Sequence, residues 1–192
     1  MVPLVLTSLA IMGSPGPATI SLTAAGAAFG VRRSVGYLLG IIAGTVAVLV
    51  AVATGITAVL LSFPVVRPVL IGASAAYILW LAYHLATASP QAQTKDADAP
   101  SLLGGALLGV ANPKAWVAIA AVFASTRVAH SATVDAAAKA AVLAAMIVLI
   151  NTMWLVAGAS FAPALREPRR ARIVNVVLAV TLIAATVVAI VV

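Results

Sequence analysis

Polar side chains are scarce along this chain and come in clusters. Between the clusters run apolar stretches long enough to cross a hydrocarbon core, which takes about 20 residues of helix. Six such runs are read, at 2–29, 35–62, 65–87, 101–125, 136–161 and 173–192. They are expected as helices, because barrel strands would be short and would alternate polar with apolar positions. Gly30-Val31-Arg32-Arg33, the stretch around Pro64 and Arg67, and residues 88–100, 127–139 and 163–172 are expected as connections. The longest of these, 88–100, carries Gln91, Gln93, Lys95, Asp96 and Asp98 and reads as a solvated linker.

Two of the runs are interrupted. Ser14-Pro15-Gly16-Pro17 breaks the first and Asn112-Pro113-Lys114 breaks the fourth, 98 residues further on. Proline has no N–H, so Pro15, Pro17 and Pro113 leave the carbonyls of Ile11, Gly13 and Gly109 without helical partners. Ser14-Pro15 and Asn112-Pro113 each read as an N-cap residue followed by proline at the first helical position. Each pair is expected to start a half-helix inside the membrane. Matching breaks in two halves are the pattern of an inverted repeat with a binding site between the repeats. The expected fold is all-α, a single transmembrane domain over 1–192. Its six helices form two inverted three-helix repeats, about 1–87 and 101–192, joined by the linker 88–100, with helices one and four broken.

Composition supports the membrane assignment. Hydrophobic residues make up 64% of the chain and charged residues 8%, too few charges to cover a water-soluble domain. The net charge of +7 comes from basic residues placed between the apolar runs, which indicates membrane topology rather than nucleic-acid binding. The connections after runs one, three and five hold Arg32, Arg33, Lys95, Arg166, Arg169, Arg170 and Arg172. Those after runs two and four hold only Arg67, Arg127 and Lys139. The positive-inside rule then puts the first set in the cytoplasm and both termini outside, which makes the two halves antiparallel. No Lys or Arg precedes the first run, so it is expected as a span rather than a cleaved signal.

The candidate chemistry lies at the breaks. Half-helix N-termini carry free N–H groups and about half a positive charge, and they suit a carboxylate. Lys114 adds a full charge about 16 Å from the end of its run, beyond reach of water by snorkelling. The alternative for Lys114 is a wet crevice in which it caps carbonyls freed by Pro113. The candidate substrate-binding residues are Ser14, Pro15, Gly16, Pro17, Asn112, Pro113 and Lys114, with Asn151 midway along run five. Thr19, Ser21 and Thr23 are expected to bond the preceding turn. Gly36, Gly40 and Gly44 predict close helix packing, within the chain or across a homodimer. Trp80, Tyr83 and His84 are read as an interfacial belt, Trp116 and Trp154 as bordering a cavity, and His130 and Asp135 as solvated loop residues. There is no cysteine, no phosphate-binding loop, no metal-ligand cluster and no nucleophile–base pair in the sequence. No catalytic residue, metal or cofactor is therefore expected, and a membrane enzyme is disfavoured.

These elements resemble the LysE/RhtB family of amino-acid exporters over nearly the whole length. The resemblance rests on Ser14-Pro15-Gly16-Pro17, on Gly30-Val31-Arg32-Arg33-Ser34-Val35-Gly36, and on residues 72–81 from Gly72 to Leu81. Asn112-Pro113-Lys114, Trp154 and the basic run before the sixth span complete it. It implies an inner-membrane exporter of bacteria, driven by the proton gradient, with protons, the bilayer and a small amino acid as its partners. Run six lacks a glycine where relatives often have one, and Asp135 is the only acid near a span. No acid inside a span could balance a cationic side chain, so a neutral amino acid or related metabolite is favoured. The alternatives are a cation or heavy-metal exporter of the same superfamily, for which soft ligands are missing, and an uncoupled channel or lipid-handling protein.

Overall fold

The computed structural model describes residues 1–55, 99–125 and 127–160, with isolated positions between 65 and 83 and between 172 and 187. Every element among them is a helix. They are α1 (Val2–Met12), α2 (Pro17–Ala53), α3 (Leu102–Ala111), α4 (Pro113–Ser125) and α5 (Ala132–Ser160). Most of runs three and six, of the linker 88–100 and of the connection after run five lies outside the described residues. The full six-helix count and the superposition of the two halves therefore lie outside them too.

The 37 residues of α2 would make a rod of about 55 Å, far longer than a bilayer core. They do not form a rod. Gly30 has φ 74° and ψ 169°, a left-handed conformation open to glycine, and it reverses the chain. The proof of the reversal is the bond from the Tyr37 hydroxyl to Ser21 Oγ at 3.2 Å. In a straight helix those residues would stand about 24 Å apart. Ser34 Oγ likewise donates to the Ala25 carbonyl at 3.1 Å across the turn. The limbs 17–29 and 31–53 are thus an antiparallel hairpin. The connection expected at Gly30-Val31-Arg32-Arg33 shrinks to one residue, because a single glycine makes the turn and Val31 to Arg33 are already helical.

Among the described residues, two helices are long and apolar enough to span a membrane, or three with the bent pair α3–α4 counted as one span. The two halves of that pair meet at 54°. The first expected run is likewise divided, into α1 and the first limb of α2. The N-cap at this first break differs from expectation. The helix starts at Pro17 with Gly16 as its cap, not at Pro15 with Ser14. The break Ser-Pro-Gly-Pro offers two prolines that can each occupy a first helical position, and the second is the one used. The equivalent starts are therefore Pro17 and Pro113, 96 residues apart.

α2 packs chiefly against α5 and α3. Small residues permit the α2–α3 contact. A Cβ added to Gly40 or Gly44 would overlap the carbonyls of Leu102 or Ala106. One added to Gly105 or Gly109 would overlap those of Tyr37 or Ile41. The glycine stripe of α2 is thus used inside the chain, against a second glycine pair on α3. Gly36, the third member expected in the stripe, meets nothing within 4 Å. The core beside these contacts is built from Leu22, Tyr37, Ile41, Leu108 and Leu155, with Leu4, Leu49, Ile119, Leu143 and Ile147 in a second cluster. Large apolar side chains also face outward, among them Leu39, Val50, Leu149 and Met153, as they do on helices solvated by lipid.

The α4–α5 connection is shorter and more ordered than expected. α5 begins at Ala132, with Ser131 accepting the Asp135 N–H at 2.9 Å. Asp135 is not a solvated loop residue. Its Oδ1 accepts the N–H groups of Val128 and Ala129 at 2.6 and 3.1 Å, and its Oδ2 pairs with Lys139 at 2.7 Å. Lys139, expected in the loop, is buried on α5, where its ammonium also donates to the Phe123 carbonyl at 2.9 Å. An acid in the first turn of a helix and a base one turn later form a favourable pair, and the loop folds over it. His130 is exposed, as expected.

Candidate functional site

Both breaks open on one cavity of about 50 Å³. Met12, Gly16, Ala18 and Thr19 line it from the first break, and Asn112, Lys114, Ala115 and Ala118 from the second. Thr45 of α2 and Ile147, Ile150 and Asn151 of α5 complete its wall.

Each break satisfies its own groups by local chemistry first. At the first, Ser14 Oγ donates to the Ile11 carbonyl at 2.9 Å, one of the carbonyls that proline leaves free. The Gly16 N–H donates to Thr19 Oγ1 at 2.8 Å, and that hydroxyl donates to the Gly16 carbonyl at 3.0 Å. This is the reaching-back half of a capping box, with threonine in the usual place of glutamate. At the second break Asn112 is the expected cap: its Oδ1 accepts the Lys114 N–H at 3.2 Å.

Two indoles complete the repair. Trp154 Nε1 on α5 donates to the Gly13 carbonyl at 3.3 Å. Trp116 Nε1 on α4 donates to the Val110 carbonyl at 2.7 Å. The two tryptophans expected beside the cavity therefore act on the broken backbone itself, one at each break. A buried or membrane-embedded carbonyl without a partner is costly, and indole supplies one donor on an apolar body.

Lys114 joins the breaks. Its ammonium donates to the Ser14 carbonyl, to Ser14 Oγ at 2.8 Å and to the Pro15 carbonyl at 3.3 Å. It does not cap carbonyls freed by Pro113. It caps those of the opposite break. Gly16 is what allows the close passage, because a Cβ there would lie 2.6 Å from Lys114 Cδ. Ser14, Pro15, Gly16, Asn112, Pro113 and Lys114 are thus brought together, and Pro17 starts the helix that flanks them. Of the first break it is Gly16 that lines the cavity, while Ser14 and Pro15, which Lys114 holds, are exposed.

The sequence model of the LysE type translocator family matches residues 9–191. The chain belongs to this family. The match takes in both breaks, the hairpin at Gly30 and all of α3 to α5. Comparison with curated proteins and with solved structures gives no match.

Asn151 is buried on α5, and its Nδ2 donates to the Ile147 carbonyl at 2.7 Å, one turn back. Ser21 and Thr23 bond carbonyls of the preceding turn, as expected of hydroxyls in membrane helices. Thr45 was not singled out from the sequence of this translocator. It sits in an apolar run next to the glycine stripe and has no neighbouring polar residue to draw attention to it. Only the fold brings it to the same cavity as Asn112 and Asn151.

Proposed function

We propose that this translocator is a secondary exporter of a small neutral amino acid or a related metabolite, working in the bacterial inner membrane with both termini outside. Its cycle is alternating access around the two breaks, driven by the proton gradient. The observation that carries this is the contact of Lys114, on the second break, with Ser14 and Pro15, on the first, over a cavity lined from both. A cation that bridges two half-helix starts is placed to exchange carbonyl partners for a substrate carboxylate. The start of α2 at Pro17 and that of α4 at Pro113 add their positive ends to the same place. Such an exchange would unlink the halves when substrate arrives, and alternating access needs a step of that kind.

The size and polarity of the cavity favour a small, uncharged side chain. Among the described residues no Asp or Glu lines it, so none of them balances a second positive charge. The test is counterflow in liposomes holding the purified protein, screened with radiolabelled amino acids, with and without an imposed proton gradient. Neutral amino acids should exchange faster than lysine or decarboxylated amines. Flux that is indifferent to the gradient would favour an uncoupled channel, and a preference for the amines would reject the electrostatic basis of the proposal.

A further inference from the structure

Three buried polar side chains facing the cavity have hydrogen-bonding capacity left over. Asn112, Thr45 and Asn151 are each 6% exposed, and all three line it. The bonds they do make fix the direction of the rest. Asn112 accepts an N–H from Lys114, so its carboxamide oxygen is turned there and its Nδ2 donors are the free end. Asn151 donates to the Ile147 carbonyl, which only its nitrogen can do, so its Oδ1 is the free end. Thr45 makes no hydrogen bond among the described residues. That is unlike Ser8, Ser21 and Thr23, whose hydroxyls all bond carbonyls of the preceding turn. Buried polar groups in folded proteins are nearly always paired, with protein, water or ligand. Three together around one cavity describe what the cavity is built to hold.

We infer that Thr45 and Asn151 form an ammonium subsite, opposite a carboxylate subsite made by Asn112 and Lys114, and that the cavity reads a small α-amino acid as a zwitterion. This rests on the exporter function proposed above and names the substrate class more closely. Asn151 Oδ1 and Thr45 Oγ1 are acceptors on the α2–α5 side, and an ammonium brings three donors to them. Asn112 Nδ2 and the Lys114 ammonium are donors on the α4 side, and a carboxylate brings acceptors to them. Both acceptors are neutral, so the subsite holds one ammonium by hydrogen bonds without providing for a second cation. Met12, Ala118, Ile147 and Ile150 give the remaining wall, which is apolar. A cavity of about 50 Å³ accommodates roughly four waters. L-Alanine and L-serine are the closer in size to that space, and L-leucine the further.

A site built to hydrogen-bond a group rejects the analogue that lacks it, because its own buried polar atoms are then left unpaired. A hydroxy acid or a simple carboxylate of the same size should therefore be a poor ligand. The experiment is counterflow of radiolabelled L-alanine and L-serine in proteoliposomes, with L-lactate, propionate and L-leucine as competitors, for wild type, Thr45→Val and Thr45→Ser. Valine keeps the shape of threonine and deletes the hydroxyl, and serine keeps the hydroxyl. Wild type should be inhibited by the small amino acids and not by lactate or propionate. Thr45→Val should raise KM about tenfold, the scale of one lost hydrogen bond, with maximal rate changed less. Thr45→Ser should restore KM to near the wild-type value, which a packing role for Thr45 would not do. Melting of each variant in detergent establishes that it is folded, and Asn151→Ala, expected to raise KM similarly, gives a second variant if Thr45→Val is unfolded. Lactate competing as well as alanine, an unchanged KM in Thr45→Val and Asn151→Ala, or a Thr45→Ser variant as impaired as Thr45→Val would each overturn the ammonium subsite while leaving an exporter in place. A wild type that exchanges none of the amino acids in the counterflow screen would overturn the exporter function, and the subsite with it.

Discussion

The Lys114 ammonium lies 2.8 Å from Ser14 Oγ, a contact between residues 100 positions apart in the chain. It fastens the half-helix that starts at Pro113 to the irregular segment before Pro17. The residue most suited to bind an anion is therefore also the fastener between the two breaks. A transporter that must open and close around one site can use such a dual role, since a ligand carboxylate and the Ser14 and Pro15 carbonyls compete for the same ammonium.

Removing the ammonium should accordingly affect both properties. In Lys114→Ala the carbonyls of Ser14 and Pro15 lose their donor. Transport should fall by about 10- to 100-fold, the range for a charge-assisted hydrogen bond. Thermal stability in detergent should drop only slightly, because relief from an embedded charge offsets the lost bonds. Lys114→Arg should recover little transport, since a forked guanidinium must pass the same constriction at Gly16. Counterflow and melting of the two variants check this, and full activity in both would take Lys114 out of the mechanism.

Gly16 offers an independent route to the same fastener. A methyl group at this position would lie 2.6 Å from Lys114 Cδ, so Gly16→Ala should push the side chain off Ser14. The expected result is a transport defect approaching that of Lys114→Ala. The two substitutions should also be non-additive, with a coupling of about 0.5–3 kcal/mol in a double-mutant cycle. Additive losses would mean that Gly16 matters for its own backbone and not for the passage of the lysine.

Much of this arrangement was legible in the sequence, because prolines in an apolar run leave few choices. The breaks and the Asn112 cap both follow from local chemistry. The exact start of the first half-helix did not, since Pro15 and Pro17 meet the local requirement equally and the Gly16–Thr19 bonds decide between them. The partner of Lys114 was hidden for a different reason. Capping the opposite break is a tertiary relationship, and one span considered alone suggests its own carbonyls first. Lys139 looked like a loop residue because a lysine near the end of an apolar run is usually solvated. Its burial depends on Asp135 one turn earlier and on the Phe123 carbonyl across the connection. Thr45 was silent for the same kind of reason: the hairpin at Gly30 places it, and one glycine gives little warning of a full reversal.

The orientation proposed for the chain is open to direct chemical labelling, since it has no native cysteine to interfere. A cysteine introduced at Gln93 should be protected from an impermeant thiol reagent in intact cells. One introduced at Thr133, exposed at the start of α5, should react. Both positions should label once the membrane is opened. The reverse pattern would invert the topology and put the basic connections outside, against the positive-inside rule.

The last prediction concerns the Asp135–Lys139 pair, whose side chains are only 14% and 6% exposed. Asp135 also holds the N–H groups of Val128 and Ala129, so one carboxylate organises the whole α4–α5 connection. Asp135→Asn should leave a buried ammonium with only the Phe123 carbonyl and the face of its ring, 5.6 Å from the ring centroid. Breaking the pair from one side should lower the melting temperature, because the uncompensated charge of Lys139 remains. The double variant Asp135→Asn with Lys139→Met removes that charge and should recover a large part of the loss. Melting temperatures of the two variants in detergent are the measurement. If the single variant were as stable as wild type, the pair would be a surface ornament of the connection. If the double variant were no better than the single, the N–H bonds of Asp135, and not its charge, would be what holds the connection in place.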